Sequence, residues 1–346
     1  VFVSQAKQVI VELNTTVPIE IYGLHDIYTA SFPSDPRPIP LCRPMDRIGK
    51  PYIPCPMEKI AGVVFSERPD ACSAMKPADD ASKSIAGHIV EFLRSEIRAG
   101  RLPANLNPIQ SGVGSVANAV LAGLHSAGFT GVKMFTEVLQ DSALRMIEDG
   151  IIDGASTCAL ALTRQGMDEF LANVEKYKSK VVLRPQEISN SPELARRMGL
   201  VSMNTPVEFD IYGNVNSTHI MGTHVINGIG GSGDFARNAG LTIFATSSVA
   251  KNGAISCVVP MVSHVDHTEH DTQIFVTEQG LADLRWKAPI QRAEEIIEKC
   301  AHPDYRPMLQ DYLERAKKES CGHTPHILRE ALSWHVRYKE TGSMRG

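Results

Sequence analysis

From about residue 80 onward, short β-branched runs and amphipathic stretches alternate along the chain. Residues 132–136, 181–183, 242–246, 254–259 and 273–277 read as strands, and 115–127, 141–148, 165–176 and 192–198 as helices between them. Consecutive parallel strands need a crossover long enough to return the chain, usually a helix, so this rhythm predicts an α/β domain with a largely parallel sheet. In such a sheet ligands sit outside the carboxyl ends of the strands. Residues directly after the strands are therefore the candidates for function.

The clearest helix is predicted over 82–100, where Ile85, Ile89, Phe92, Leu93 and Ile97 share one face and Gly100 can take the left-handed position that ends it. The last 55 or so residues read as packing helices, with Leu309, Tyr312, Leu313 and Ala316 on one stripe and Ile327, Leu328, Ala331 and Leu332 on another. Prolines at 33, 36, 38, 40, 44, 51, 54 and 56 exclude helix and central strand from most of that stretch, which is expected to be a surface or interface loop. A short strand at 60–65 is followed by the polar stretch 68–83, which predicts a domain boundary near 80 and two units, 1–80 and 81–346. Residues 1–11 read as a strand, and with no initiator Met the chain is expected to be part of a longer protein.

Thirty-five Lys and Arg against 39 Asp and Glu give a net charge of −4, with both signs spread along the chain. No basic stripe offers a footing for nucleic acid or an anionic membrane surface, and no apolar run approaches the roughly 18 residues of a membrane span. The seven cysteines are scattered without a C-x-x-C pair, which suits a reducing compartment, the cytoplasm or an organelle matrix.

Four constellations carry chemical content. Gly228, Gly230 and Gly233 form G-x-G-x-x-G, but no Asp or Glu lies between Asp234 and Asp266 to take ribose hydroxyls, which counts against a nicotinamide oxidoreductase. What remains is a loop where backbone can approach a ligand and donate N–H groups, or a tight turn in the core. Gln110-Ser111-Gly112-Val113-Gly114 before the helix from Ser115 offers a second such loop. His264, His267 and His270, with Asp266, Glu269 and Asp271, bring metal-ligand types together, yet the run leads straight into a strand and reads better as a polar turn than as a metal-dependent hydrolase site. Glu137 ends a buried strand, where a carboxylate is costly unless it is used or paired; Glu278, after 273–277, repeats the arrangement.

Taken together, Gln110–Gly114 with Ala117-Asn118-Ala119, the run Phe135-Thr-Glu137-Val-Leu-Gln-Asp141, the loop from Asn227 to Phe235, the histidine run from Ser263 to His270, and Thr277 through Arg285 resemble the acetyl-CoA hydrolase/transferase family. The resemblance spans the whole chain. It implies the class I CoA-transferase fold, two α/β domains with the active site between them, a homodimer, and no cofactor, CoA and acyl-CoA being substrates. Residues 1–80 would be the later part of the amino-terminal domain and 81–346 the carboxyl-terminal domain.

The resemblance also implies residue roles: Glu137 as nucleophile, the Val113 and Gly231 amides as donors to the carbonyl oxyanion, and Asn190 and Glu278 as polar partners. Ile109, Gln110, Ser111, Gly112, Val113, Asn227, Gly231 and Lys251 would contact CoA. The expected reaction moves CoA between an acyl-CoA and a carboxylate, succinyl-CoA and acetate being the implied pair, with hydrolysis of acetyl-CoA as the alternative. Metal has no implied role. Trp286 stands where the family usually has a small residue, so the loop after Asp283 is expected to be shaped differently.

Overall fold

In the computed structural model, which describes residues 2–30, 37–72, 74 and 77–345, one eight-stranded sheet organises the chain. Its strands are β1 (Ile109–Ser111), β2 (Val132–Phe135), β3 (Ile152–Thr157), β4 (Val181–Leu183), β5 (Val201–Asn204), β6 (Leu241–Ala245), β7 (Ile274–Thr277) and β8 (Gly280–Asp283). Across the sheet the order is β4-β3-β2-β1-β5-β6-β7-β8, parallel throughout except for β8, which runs antiparallel to β7. The chain thus winds outward from β1 to one edge, returns to the middle at β5, and winds outward to the other edge. Between β1 and β5 the direction of winding reverses, and at such a switch point the flanking connections part and leave a crevice at the carboxyl ends.

Both faces of the sheet are covered, as an α/β sheet requires. Val132 and Met134 of β2, with Ile243 of β6 and Val276 of β7, join the core beneath the helices Asp80–Arg98, Ser115–Ser126, Asp141–Glu148 and Arg164–Ala172. Phe135 points to the opposite face, into a cluster with Ile188, Leu194, Phe235 and two residues of the proline-rich stretch, Ile39 and Leu41. Phe244 and Phe275 enter a third cluster with helices Pro289–Cys300 and Arg306–Glu319.

The helix predicted over 82–100 runs Asp80–Arg98; Asp79 caps it by accepting from the Ser82 N–H at 2.8 Å, and Gly100 follows with φ +70°. Several expectations need correction. Residues 2–5 are helical and the first strand is Val9–Asn14, paired in parallel with Ile60–Ser66; Val1 lies outside the described residues. The run 254–259 stays out of the main sheet: Ile255–Ser256 closes a hairpin with Val249–Ala250, and Val258–Val259 joins a separate three-stranded sheet. The helix at 165–176 breaks into Arg164–Ala172 and Val174–Tyr177. At 327–332 there is a turn in place of a helix, burying Ile327 and Ala331 and exposing Leu328 and Leu332. Of the proline-rich stretch, residues 33–36 lie outside the described residues. The remainder, 37–56, contains no helix or main-sheet strand, and the three-residue 3-10 turn Met57–Lys59 follows directly.

Two charge networks tie distant segments to the sheet. Arg184, directly after β4, is buried and donates to the Asp26 carboxylate, to the Pro44 and Asp46 carbonyls and to the Ser156 hydroxyl. Asp26 in turn accepts from the Ile48 and Gly49 N–H groups. Glu96 receives two hydrogen bonds each from Arg101 and Arg285, and these hold its carboxyl down at about 2.

Replacing Arg184 by Met leaves Asp26 buried without its counter-charge. Urea denaturation should show a loss of about 3–5 kcal/mol; a loss near zero would mean that the pair does not hold the amino-terminal segments. For Glu96 the folded pKa is depressed, so its contribution is present above pH 4.5 and is lost as pH falls toward 2. Glu96→Gln should cost about 1–2 kcal/mol at pH 7, discounted for the exposed Arg101 partner, and the gap to the unchanged protein should close on acidification.

Candidate functional site

The crevice at the switch point is a cleft of about 590 Å³. Its walls are Gln110–Val113 at the end of β1 and just beyond it, Glu137 and Val138 after β2, Asn204–Val207 from the last residue of β5 onward, and the glycine loop from Ile226 to Ser232. The floor is built from paired side chains. Gln110 and Asn204 exchange carboxamide hydrogen bonds at 3.2 Å across the β1–β5 junction, and the Thr136 hydroxyl donates to the Ser111 carbonyl at 3.1 Å. Polar residues at buried strand ends are stable only when so satisfied.

Glu137 is held by its backbone. Its carbonyl accepts from the Cys158 and Ala159 N–H groups at 3.1 Å each, with the Thr157 hydroxyl at 2.7 Å and the Cys158 thiol at 3.2 Å. Burial, and next the Glu137 charge, push the Cys158 thiol up to about 11, so it is a neutral donor. The loop expected after Glu137 is in part a strand, Val138–Leu139, pairing with Ala159–Leu160. The carboxylate reaches the glycine loop, where the Gly231 N–H donates to Oε2 at 2.9 Å. A Cβ at Gly231 would stand 2.6 Å from both Glu137 Oε2 and Asn190 Nδ2, so any larger residue there would have to displace those two side-chain ends. Burial, and then the Glu137 charge, raise the Asp234 carboxyl just beyond this loop.

The Val113 N–H, in the other glycine loop, has no hydrogen-bond partner among the described residues, and Val113 is 57% exposed at the cleft wall. The structure therefore gathers Glu137, Val113, Gly231, Gln110, Ser111, Gly112 and Asn227 around one cleft. Asn190, which closes the short helix Gln186–Ser189 after β4, sits against Gly231 with its Oδ1 buried and without a hydrogen-bond partner among the described residues.

Three of the expected residues lie elsewhere. Ile109 is fully buried in the core beneath the sheet. Lys251 is exposed on the hairpin turn after Val249–Ala250, with φ +51°. Glu278 leaves the carboxyl end of β7, outside the cleft lining, and is engaged by the Ser248 side chain and N–H and by Gln279. Burial opposes its charge, but these hydrogen bonds outweigh it and hold the carboxyl below its usual range.

The histidine run forms an irregular turn. His267 is buried against Phe244, with its Nε2 3.2 Å from the Ser232 hydroxyl, while His219 and His264 stack at 3.8 Å. Among the described residues no three His, Cys, Asp or Glu side chains converge to hold a metal ion, and no helix is long and apolar enough to cross a membrane. Trp286 is fully exposed, with φ +62°.

Sequence reasoning passed over Asn204, Thr205, Ser217, Ser232 and Gln140. Gln140 and Ser232 stood within quoted motifs; the others carry no local signal, since only the strand order brings them to Glu137.

Residues 166–313 match the model of the acetyl-CoA hydrolase/transferase C-terminal domain. The chain is 52% identical over 344 residues to a succinyl-CoA:acetate CoA-transferase from Clostridium kluyveri, covering 99% of this chain and 64% of that protein. It is 47% identical over 351 residues to an acetyl-CoA hydrolase from Candida albicans, covering 99% and 67%. The chain thus spans about two thirds of the length of these relatives. Among solved structures, RipA from Yersinia pestis superposes with a TM-score of 0.64 at 27% identity, covering 75% of this chain and 58% of that one.

Gly231→Ala should fold but lose the hydrogen bond to Glu137. A structure of the variant should show the Glu137 carboxylate turned away from the residue-231 N–H; an Oε2 still 2.9 Å from that N–H would overturn the expectation.

Proposed function

Because the chain belongs to the acetyl-CoA hydrolase/transferase family, we propose that it carries the nucleophile-bearing portion of an enzyme that moves CoA between an acyl-CoA and a small carboxylate. The observation that carries this reading is the opposition, across one cleft, of a carboxylate on an immobilised peptide and a backbone N–H with no partner. By the name of the Clostridium relative, succinyl-CoA and acetate are the substrate pair of choice.

In the proposed reaction a Glu137 oxygen attacks the thioester carbonyl, and the negative charge moves to the carbonyl oxygen. The Val113 N–H, together with the Gly231 N–H once it leaves Glu137, donates to that oxygen in the cleft. Collapse expels the CoA thiolate and leaves an acyl-glutamyl anhydride. The thiolate then attacks the glutamyl carbonyl, releasing the first carboxylate and forming a glutamyl-CoA thioester. An acceptor carboxylate repeats these steps in reverse and leaves with CoA. No proton is consumed and no cofactor is required.

Hydrolysis is the second reading, favoured by the acetyl-CoA hydrolase name of the Candida relative. It differs only in that water takes the acyl group. Whether water enters depends on how the cleft closes around the acyl group, and thus on the whole protein. A homodimer, cytoplasmic location and the 1–80 and 81–346 division complete the proposal, consistent with the family.

Glu137→Ala should abolish transfer while leaving the unfolding midpoint near that of the unchanged protein, and Glu137→Asp should lose on the order of 100-fold because its carboxylate is withdrawn by about 1 Å. Borohydride added to the full-length protein with acetyl-CoA should reduce a Glu137 thioester to the alcohol, a mass change on that peptide alone. An unchanged peptide during continued acetyl-CoA consumption would make Glu137 at most a general base and put hydrolysis first.

A further inference from the structure

Gln140 is the residue before the helix Asp141–Glu148, a position where Ser, Thr, Asp or Asn commonly caps the helix with its side chain. Its side chain makes no such cap. It is buried and turned back to the loop after β1, where Nε2 donates to the Gly112 carbonyl at 2.9 Å and Oε1 accepts from the Gly114 N–H at 3.4 Å. One carboxamide therefore grips the residue on each side of Val113. The Gly112 N–H is tied to the Met203 carbonyl at 2.9 Å, and Gly114 adopts φ +112°, a conformation open to glycine. The Gly112 carbonyl belongs to the same planar peptide as the Val113 N–H, and the Gly114 N–H to the next one, so Gln140 holds both peptides of Val113, whose own N–H has no partner among the described residues at the cleft wall.

We propose that Gln140 is a positioning residue that fixes the Val113 N–H where the thioester oxygen arrives. The proposal deepens the reading above and rests on it. Gln140 is absent from the cleft lining, so its effect passes through the loop and not through contact with substrate. Both of its bonds matter: a group that only accepts could hold Gly114 but would place oxygen against oxygen at Gly112. The three-residue separation from Glu137 means that one short segment, 137–140, carries the carboxylate at one end and the brace for the opposing N–H at the other.

The test uses the full-length protein with acetyl-CoA and succinate. Gln140→Leu removes both bonds and should lower kcat on the order of 100-fold, with KM for acetyl-CoA changed less than about threefold, as expected for an interaction felt only in the transition state. Gln140→Glu keeps the shape. Ionised, its side chain cannot donate to Gly112; protonated, it donates to Gly112 and accepts from Gly114. Its kcat relative to the unchanged protein should rise about tenfold or more from pH 8 to pH 5, while the same ratio for Gln140→Leu stays flat. A merely structural role would not give that pH-dependent rescue.

A flat ratio for Gln140→Glu, or a Gln140→Leu variant that keeps kcat within twofold, overturns the proposal. Borohydride mapping on the same preparations separates the two failures. A labelled Glu137 with a flat ratio removes Gln140 alone, whereas an unlabelled Glu137 in active protein removes the covalent step and leaves Gln140 to be judged by the rate ratio.

Discussion

The reversal of winding between β1 and β5 is the constraint on which the rest of the site depends. The helix Asp141–Glu148 bridges β2 and β3, and Arg164–Ala172 with Val174–Tyr177 bridges β3 and β4, but where the winding changes direction the connections diverge. The chain closes this gap at its base with the Gln110–Asn204 carboxamide pair and leaves it open above. Had those two residues been apolar, the junction would pack but would lose the paired bonds that set β1 against β5. Had only one been polar, it would be buried without a partner, at a cost of about 1–3 kcal/mol.

Around that opening the chain brings three separate pieces of backbone to one place. The turn after β1 supplies Val113, the turn after β2 supplies Glu137, and the loop before β6 supplies Gly231. Each is held by bonds formed some distance along the chain: Gly112 to Met203, the Glu137 carbonyl to Cys158 and Ala159, and Ser232 to His267. The aligned register of β1, β2 and β5 therefore matters more than any one turn, since a slip of one residue would turn the strand-end side chains to the other face.

How far the sequence was legible follows from whether each signal is local. Glu137 could be found because β-branched and apolar residues lead up to it, so its charge was conspicuous at a strand end. The helix Asp80–Arg98 was legible through its apolar spacing and Gly100. By contrast, β1 is three residues long and two of them are Gln110 and Ser111, so nothing nearby marks it as a central strand; its partners Asn204 and Thr136 lie 94 and 25 residues away. The run 254–259 carried a strand signal, but its first part found a partner in Val249–Ala250 just upstream, and the hairpin kept it from the sheet. Glu278 stands directly after its strand, as expected, and its partner there, Ser248, is brought to it only by the pairing of β6 with β7.

The crowded carbonyl of Glu137 has a mechanical consequence. With two N–H groups, a hydroxyl and a thiol around one oxygen, that peptide cannot tilt without breaking several contacts together, so the carboxylate moves only through rotation of its own side chain. Its sweep is an arc of fixed radius, anchored to the sheet. In the proposed reaction the accommodation of acyl groups of different length would fall to the opposite wall, where Ile226 and Ile229 are exposed. On that reading the reach of the carboxylate is constant, and variation in what the cleft accepts should be sought in the wall that faces it.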